Sequence, residues 1–243
     1  MAKAKTTPKP KHFTAPSKPA DPAQQLETLF DISRKVNALT KQICANPQPG
    51  LYDAIRDARD DAFDLANEDE WMLRLNCLAQ LLQISRTPAA IDLLIESLDD
   101  DLEEFAPFES ALSVVASENV DIVREGIVRA LGLLPDDSDV LAILPALVLD
   151  YGDPDAPNTL KLFLAHPTPA VVAAAIDALV ELGDPSAIKL LEPLAKDTRT
   201  IETDDEEPCS PEERTIGFLV GLAIDTLNEV QLALSAMHPE SLS

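Results

Sequence analysis

Apolar residues recur every three or four positions over most of the chain after residue 21, the spacing of one helix face. The first series starts at Asp21-Pro22, where an N-cap residue precedes a proline at the first helical position, and it ends near Asn46-Pro47. A second series predicts a helix from about Leu51 to Ala66, with Asp53, Asp57, Asp60, Asp61 and Asp64 on its other face. Strand-like alternation is absent, so the pattern predicts an all-α fold.

From Glu70 onward the apolar pattern repeats at a spacing of 48 or 49 residues. Most aligned positions stay apolar in all three copies, and Arg124 is the clear exception. The aligned positions are Leu75, Leu78, Leu82, Ile91, Leu94 and Leu98, then Arg124, Ile127, Leu131, Val140, Ile143 and Leu147, then Val172, Ala175, Leu179, Ile188, Leu191 and Ala195. Short additional helices are predicted at about 105–117 and 155–166. This spacing leaves both a two-helix HEAT unit and a three-helix armadillo unit open.

The third copy, residues 168–194, has an Ala-rich first helix and a Leu-rich second helix joined by Gly183-Asp184-Pro185. Glycine suits a left-handed C-terminal cap, aspartate caps the next helix, and proline fits its first position. This segment resembles a HEAT repeat of the bacterial type related to phycobilisome-lyase repeats. The resemblance implies a right-handed α-solenoid of HEAT/armadillo-like repeats with about 10–11 helices, capped by a last helix at about 212–236.

Charge divides the chain into two parts. The net charge is −24, and a Lys/Pro-rich segment at residues 1–20 carries five lysines and no acid, which leaves −29 for the remainder. Residues 1–20 are too polar to offset the entropy of ordering, so we expect a disordered tail. Residues 21–243 are expected to form a single helical-repeat domain with an acidic loop at about 196–212. The negative balance argues against binding of nucleic acid by the folded part, because phosphate contacts need Lys and Arg.

Two acidic clusters are candidate partner-binding sites. Each is interpreted either as a solvated loop or as a docking patch for another protein with a basic surface, and divalent-cation binding is a further alternative. The first cluster lacks the glycine turn and the 12-residue spacing of an EF-hand loop. The candidate residues are Asp99, Asp100, Asp101, Glu103 and Glu104 in the first cluster, and Asp204, Asp205, Glu206 and Glu207 in the second.

The sequence contains none of the common catalytic or phosphate-binding motifs, and it predicts no cofactor and no metal site. Cys44, Cys77 and Cys209 lack CxxC spacing, which is typical of free thiols in a reducing compartment. His166 is expected to interact with a helix C-terminus. Trp71 is expected to pack in the core. Because neither a signal peptide nor a membrane-spanning stretch is evident, we expect a cytoplasmic protein.

These features favour a non-enzymatic scaffold or adaptor for protein–protein interaction, since solenoids present long surfaces without needing a pocket. One alternative is an immunity-type or DNA-mimicking inhibitor of a cationic toxin or nuclease, which the negative charge would suit. Another is a lyase-like enzyme or enzyme subunit, on the strength of the resemblance alone. The oligomeric state stays open at this stage.

Overall fold

The computed structural model describes residues 21–63, 65–98, 102–201 and 215–237. The chain divides into two compact units, Met1–Asn46 and Pro47–Ser243. The sequence analysis placed a boundary after residue 20 instead, and the tail that it expected to be disordered lies outside the described residues. We refer to the second unit as the body.

Helices account for nearly all regular structure in the described residues. The only strand-like feature there is an isolated bridge between Thr200 and Thr215. The predicted all-α fold of about 10–11 helices is therefore confirmed. The helices are α1 (Pro22–Ala45), α2 (Leu51–Phe63), α3 (Glu68–Ser85), α4 (Pro88–Glu96), α5 (Leu102–Glu118), α6 (Val120–Leu133), α7 (Val140–Asp150), α8 (Ala156–Phe163), α9 (Pro169–Leu182), α10 (Ile188–Leu191) and α11 (Ile216–Met237).

The helix ends follow the local sequence signals. Asp21 accepts a hydrogen bond from the Ala23 N–H at 3.3 Å, which caps α1. Gly183 adopts φ 66° and ends α9, and Asp184 accepts from the Ser186 N–H at 2.8 Å. The Gly-Asp-Pro turn therefore has the predicted geometry. Beyond it, α10 is short and lies between the 3₁₀ turns Pro185–Ala187 and Glu192–Leu194. Pro193 lacks the N–H that would continue the α-helical hydrogen bonds past the end of α10.

Within the body, helices alternate between two layers. In one layer α3 packs on α5, α7 packs on α9, and α9 packs on α11. In the other layer α2 packs on α4, α4 on α6 and α6 on α8. The two layers bury a shared aliphatic core that includes Leu75, Leu82, Ile91, Leu144 and Leu179, all less than 1% exposed. This alternation is the arrangement of two-helix HEAT repeats.

The 48- to 49-residue spacing is not the packing period. It aligns α3 with α6 and α6 with α9, yet each of these pairs makes at most marginal contact. The physical reason is that both layers turn apolar faces toward the same core, so helices from opposite layers carry similar apolar patterns. The aligned residues are still mostly buried, although Ala195 is exposed.

The last described helix, α11, covers the end of the stack. Ile216, Val220, Ala223 and Leu227 are buried, and α11 contacts α9 and α10. Length and composition alone would allow it to cross a membrane: residues Ile216–Ala236 have a mean hydropathy of 1.3, although the sequence analysis found no such stretch. A core helix of a soluble protein can pass the same test, so this is weak evidence for a span.

Candidate functional site

Most of the predicted acidic site residues lie outside the described residues. This holds for Asp99, Asp100 and Asp101 and for Asp204, Asp205, Glu206 and Glu207. The backbone of Glu103 and Glu104 belongs to the first turn of α5, but their side chains are outside the described part. These nine residues therefore remain a prediction.

The described residues contain a groove that the sequence analysis did not anticipate. It has a volume of about 420 Å³ and lies across α2, α4 and α6 in one layer of the body. Apolar side chains form part of its wall, and Leu133 stands 65% exposed at its edge. The lining residues are Tyr52, Asp53, Arg56, Ala89, Asp92, Leu93, Glu96, Ala130, Leu133 and Leu134. We call this feature the α2–α4–α6 groove.

An ion-pair network ties α2 to α4 on one side of the groove. Arg56 donates from Nε and Nη2 to the two carboxylate oxygens of Glu96, each at 2.8 Å. This bidentate contact holds the pKa of the Glu96 carboxyl below its ordinary value, and burial opposes that effect. Arg59, only 14% exposed, donates to the buried Ser97 hydroxyl at 2.9 Å and lies 3.4 Å from Glu96. The network fixes the angle between the two helices.

A second ion pair joins α4 to α6. Arg129 on α6 donates from Nε to Asp92 Oδ1 on α4 at 2.9 Å, and its Nη2 is 2.8 Å from the same oxygen. At one end of the groove, the Tyr52 hydroxyl contacts Ser85 at 2.9 Å and also bonds with Thr87, the N-cap of α4. Three helices are thus held in register around the groove by polar side chains.

Helix α2 contributes one exposed carboxylate to the groove. Asp53 is 81% exposed, at 3.4 Å from Arg56. Asp57 and Asp61 are exposed on the same helix and form no ion pair with a described residue. Of the carboxylates that line the groove, Asp53 stays the most exposed, because Asp92 and Glu96 are bound closely by arginines. The groove therefore combines apolar contact surface with an exposed carboxylate.

Every arginine in the described part of the chain is ion-paired with a carboxylate. Arg124 is one example: it donates to the buried carboxylate of Asp153 at 2.9 Å. The same carboxylate also accepts from the Thr159 hydroxyl at 2.9 Å. The eight arginines are Arg34, Arg56, Arg59, Arg74, Arg86, Arg124, Arg129 and Arg199. Guanidinium groups held in this way are poorly placed to bind phosphate.

His166 lies just after α8 and is buried. Its Nδ1 accepts a hydrogen bond from the Thr168 N–H at 3.2 Å, so the imidazole is bonded to the residue that caps the start of α9. The sequence had instead suggested an interaction with the C-terminus of a helix. Its Nε2 is 3.8 Å from Asp136 Oδ1 and makes no hydrogen bond with a described residue. The Arg199 guanidinium binds the His166 carbonyl oxygen at 2.7 Å. This junction links α8 and α9 to the segment before α11.

Other candidate groups are dispersed. Among the described residues no three His, Cys, Asp or Glu side chains are arranged to hold a metal ion. Cys77 is exposed and Cys44 is partly buried, while Cys209 falls outside the described part. Trp71 is partly buried at the start of α3 and packs against the core.

Sequence analysis missed the α2–α4–α6 groove because its parts are far apart in the chain. Arg56 and Glu96 are 40 residues apart. Glu96 ends α4, whereas Leu133 ends α6, two helices later in the chain. The acidic face of α2 was visible in the sequence, but nothing in the sequence identified which apolar residues would lie beside it.

Comparison with known families agrees with this architecture. Residues 171–197 match the family described as PBS lyase HEAT-like repeat. This segment comprises most of α9, the turn at Gly183 and the broken second helix. The repeat is a structural unit, so the match carries no information about catalysis. No curated protein and no solved structure matches the chain significantly. The helices before and after this segment alternate between the same two layers. The family match and this packing together identify the chain as a HEAT-like helical repeat protein.

Proposed function

We propose that the body is a non-enzymatic scaffold that binds a basic, amphipathic segment of a partner protein in the α2–α4–α6 groove. The supporting observation is the combination of an exposed Leu133 with the exposed carboxylate of Asp53, both of which line the groove. An amphipathic segment binds through apolar anchors at helical spacing, and lysine or arginine beside those anchors would meet this carboxylate. The repeat architecture suits this role because it presents an extended surface on a rigid stack.

Charge supports a basic partner over a neutral one. The body carries the −29 that remains after the +5 of residues 1–20, because residues 21–46 contain three acids and three bases. Such a field speeds association with cationic surfaces and disfavours anionic ones. The acidic clusters at 99–104 and 204–207 would extend the same potential beyond the groove.

Affinity capture with charge-matched variants tests this proposal. The double variant Asp53→Lys/Leu133→Ser removes one carboxylate and one apolar anchor from the groove. The control Glu181→Lys/Leu222→Ser makes the same changes at exposed positions on α9 and α11. We expect the groove variant to reduce recovery of the partner at least tenfold, since loss of one buried leucine corresponds to about 1.5–3 kcal/mol. The control should change recovery less than about twofold.

The partner's contact segment should be basic and amphipathic when mapped by cross-linking. Equal recovery of all captured proteins by the wild type, the groove variant and the control variant would contradict the assignment to this groove. Loss of the same protein in both variants would point to net charge alone.

An inhibitor that mimics nucleic acid is a second candidate, and the charge of −29 favours it. It differs from the scaffold in its target, which would be the cationic site of a toxin or nuclease. Competition experiments separate the two: duplex DNA would displace the chain from a nuclease, but it would not displace a partner helix that is anchored by Leu133.

We expect the chain without residues 1–20 not to bind DNA. A variant lacking residues 1–20 loses five lysines, and the described arginines are held by carboxylates. Electrophoretic mobility shift or anisotropy with duplex DNA at about 150 mM salt should show a Kd above about 10⁻⁴ M, weaker than ordinary non-specific DNA binding. Submicromolar binding by this variant would contradict the expectation.

A further inference from the structure

Helix α1 exposes a long apolar face. None of its residues is buried, and six large apolar side chains are between 43% and 57% exposed. The six are Leu26, Leu29, Phe30, Ile32, Val36 and Leu39. A 24-residue helix with such a face is amphipathic, and an exposed apolar stripe of this length marks an interaction surface.

The face is broad. At 100° per residue, the six side chains and Ile43 span an arc of about 180° around the helix axis, which also contains Ser33, Asn37 and Thr40. A two-stranded coiled coil needs only the narrower a/d seam. Leu29, Ile32, Val36, Leu39 and Ile43 do follow a/d spacing, but they extend over little more than two heptads, short of the three or four that argue for a coiled coil. Leu26 and Phe30 would also stay uncovered. A second copy is therefore not the occupant that the pattern favours.

Charged side chains border this face in a specific order. On a helical projection Lys41 and Arg34 lie beside one edge and Lys35 beside the other, whereas Glu27 and Asp31 lie near the middle of the polar side. Arg34 also pairs with Asp31. Lysine and arginine at the edges can lay their aliphatic stems on an apolar phase and raise their charged ends to anionic headgroups.

The N-terminal unit has the opposite charge from the body. Residues 1–46 contain eight basic and three acidic residues, so their net charge is +5. Five of the basic residues are the lysines at positions 3, 5, 9, 11 and 18, in the segment before α1. Polybasic segments next to an amphipathic helix are attracted to anionic lipids. Repulsion between such lipids and the acidic body is screened beyond about 8 Å at physiological salt.

We propose that α1 binds the surface of an anionic membrane, lying in the interface with Leu26 to Ile43 toward the acyl chains, and that it tethers the acidic repeat body there. The proposal concerns α1 and residues 1–20 alone, so its test is independent of partner binding in the α2–α4–α6 groove. The ligand chemistry is an anionic phospholipid headgroup layer over hydrocarbon.

Vesicle flotation of the full-length chain tests the proposal. The probes are vesicles of phosphatidylcholine alone and vesicles in which about a third of the lipid is phosphatidylserine. Partitioning to the anionic vesicles should exceed that to phosphatidylcholine at least tenfold, and it should fall as salt is raised from about 20 to 150 mM. Equal partitioning to both lipids would overturn the proposal.

Matched variants identify the helix responsible. Leu29→Gln/Val36→Gln removes two anchors from α1 without changing charge, and we expect it to lower anionic-vesicle binding at least tenfold. Leu222→Gln/Leu232→Gln removes two exposed leucines from α11 and should leave binding unchanged. Far-UV circular dichroism verifies that both variants remain helical. Loss of binding in the α11 variant, or none in the α1 variant, would contradict the proposal.

Light scattering addresses the competing occupants. A wild type that is dimeric in solution, and becomes monomeric in the Leu29→Gln/Val36→Gln variant, would show that a second copy covers the face and would overturn the membrane proposal. A monomeric wild type that floats only with anionic vesicles supports it.

Discussion

Replacing Leu179 with alanine is expected to lower the free energy of unfolding by about 2–5 kcal/mol, the range for a buried leucine. Leu179 is 0% exposed on α9, which packs on α7 and α11 in the same layer. The substitution removes apolar atoms from water-free contacts on both sides, and the rigid helices can only partly close the cavity. Urea denaturation followed by far-UV circular dichroism measures the effect.

Leu182→Ala is the matched control for this prediction. Leu182 is on the same helix and is 37% exposed, so its truncation leaves no enclosed cavity. We expect it to cost about 1 kcal/mol or less, because a partly exposed side chain loses less transfer free energy. A cost below about 0.5 kcal/mol for Leu179→Ala would contradict the placement of α9 between α7 and α11.

Gly126, in the middle of α6, lies directly against α4. A Cβ atom at this position would lie 2.5 Å from Ile91 Cγ2 and 3.0 Å from Ile95 Cδ1, both on α4. The Ile91 methyl is attached at a β-branched carbon and cannot swing away without moving the helix. Gly126→Ala is therefore expected to lower stability by about 1–3 kcal/mol through overpacking, even though alanine is the better helix former.

Gly132 provides the control on the same helix. A Cβ there would meet no atom within 4 Å, so helix propensity alone decides the outcome. Gly132→Ala should stabilise the protein by about 0.5–1 kcal/mol. Urea denaturation measures the change in the free energy of unfolding for both variants. If α4 and α6 are closely packed, Gly126→Ala lowers this free energy and Gly132→Ala raises it. Stabilisation by both would contradict that packing.

The sequence predicted helix positions well because short-range chemistry determines them. Asp21-Pro22 and Gly183-Asp184-Pro185 specify a start, an end and a turn through bonds between near neighbours. Apolar spacing likewise located α5 and α8, which were expected at about 105–117 and 155–166 and are found at Leu102–Glu118 and Ala156–Phe163. These signals do not depend on distant parts of the chain.

The packing partners of the helices could not be predicted in the same way. Gly126 and Ile91 are 35 positions apart, and only the structure shows that the Ile91 side chain packs against the glycine. The same limit explains why the spacing of 48 or 49 residues in the sequence does not match the packing period of the helices. The α2–α4–α6 groove depends on such long-range packing, whereas the acidic clusters that sequence analysis did identify are loop features defined by local composition.

The exposed face of α1 was also visible in the sequence as a regular apolar series, but the pattern predicted only a helix. The structure adds that Leu29, Val36 and Leu39 are each more than 40% exposed.

The two-layer arrangement requires that helices two apart in sequence stack on each other, as α4 does on α6. A double-mutant cycle with Ile91→Ala and Gly126→Ala tests it most directly, because the alanine methyl at 126 would fill the space vacated at 91. If α4 stacks on α6, the double variant should be more stable than the sum of the single effects predicts, by about 1 kcal/mol or more. Additivity within about 0.5 kcal/mol would contradict the stacking of α4 on α6 and with it the two-layer HEAT-like arrangement.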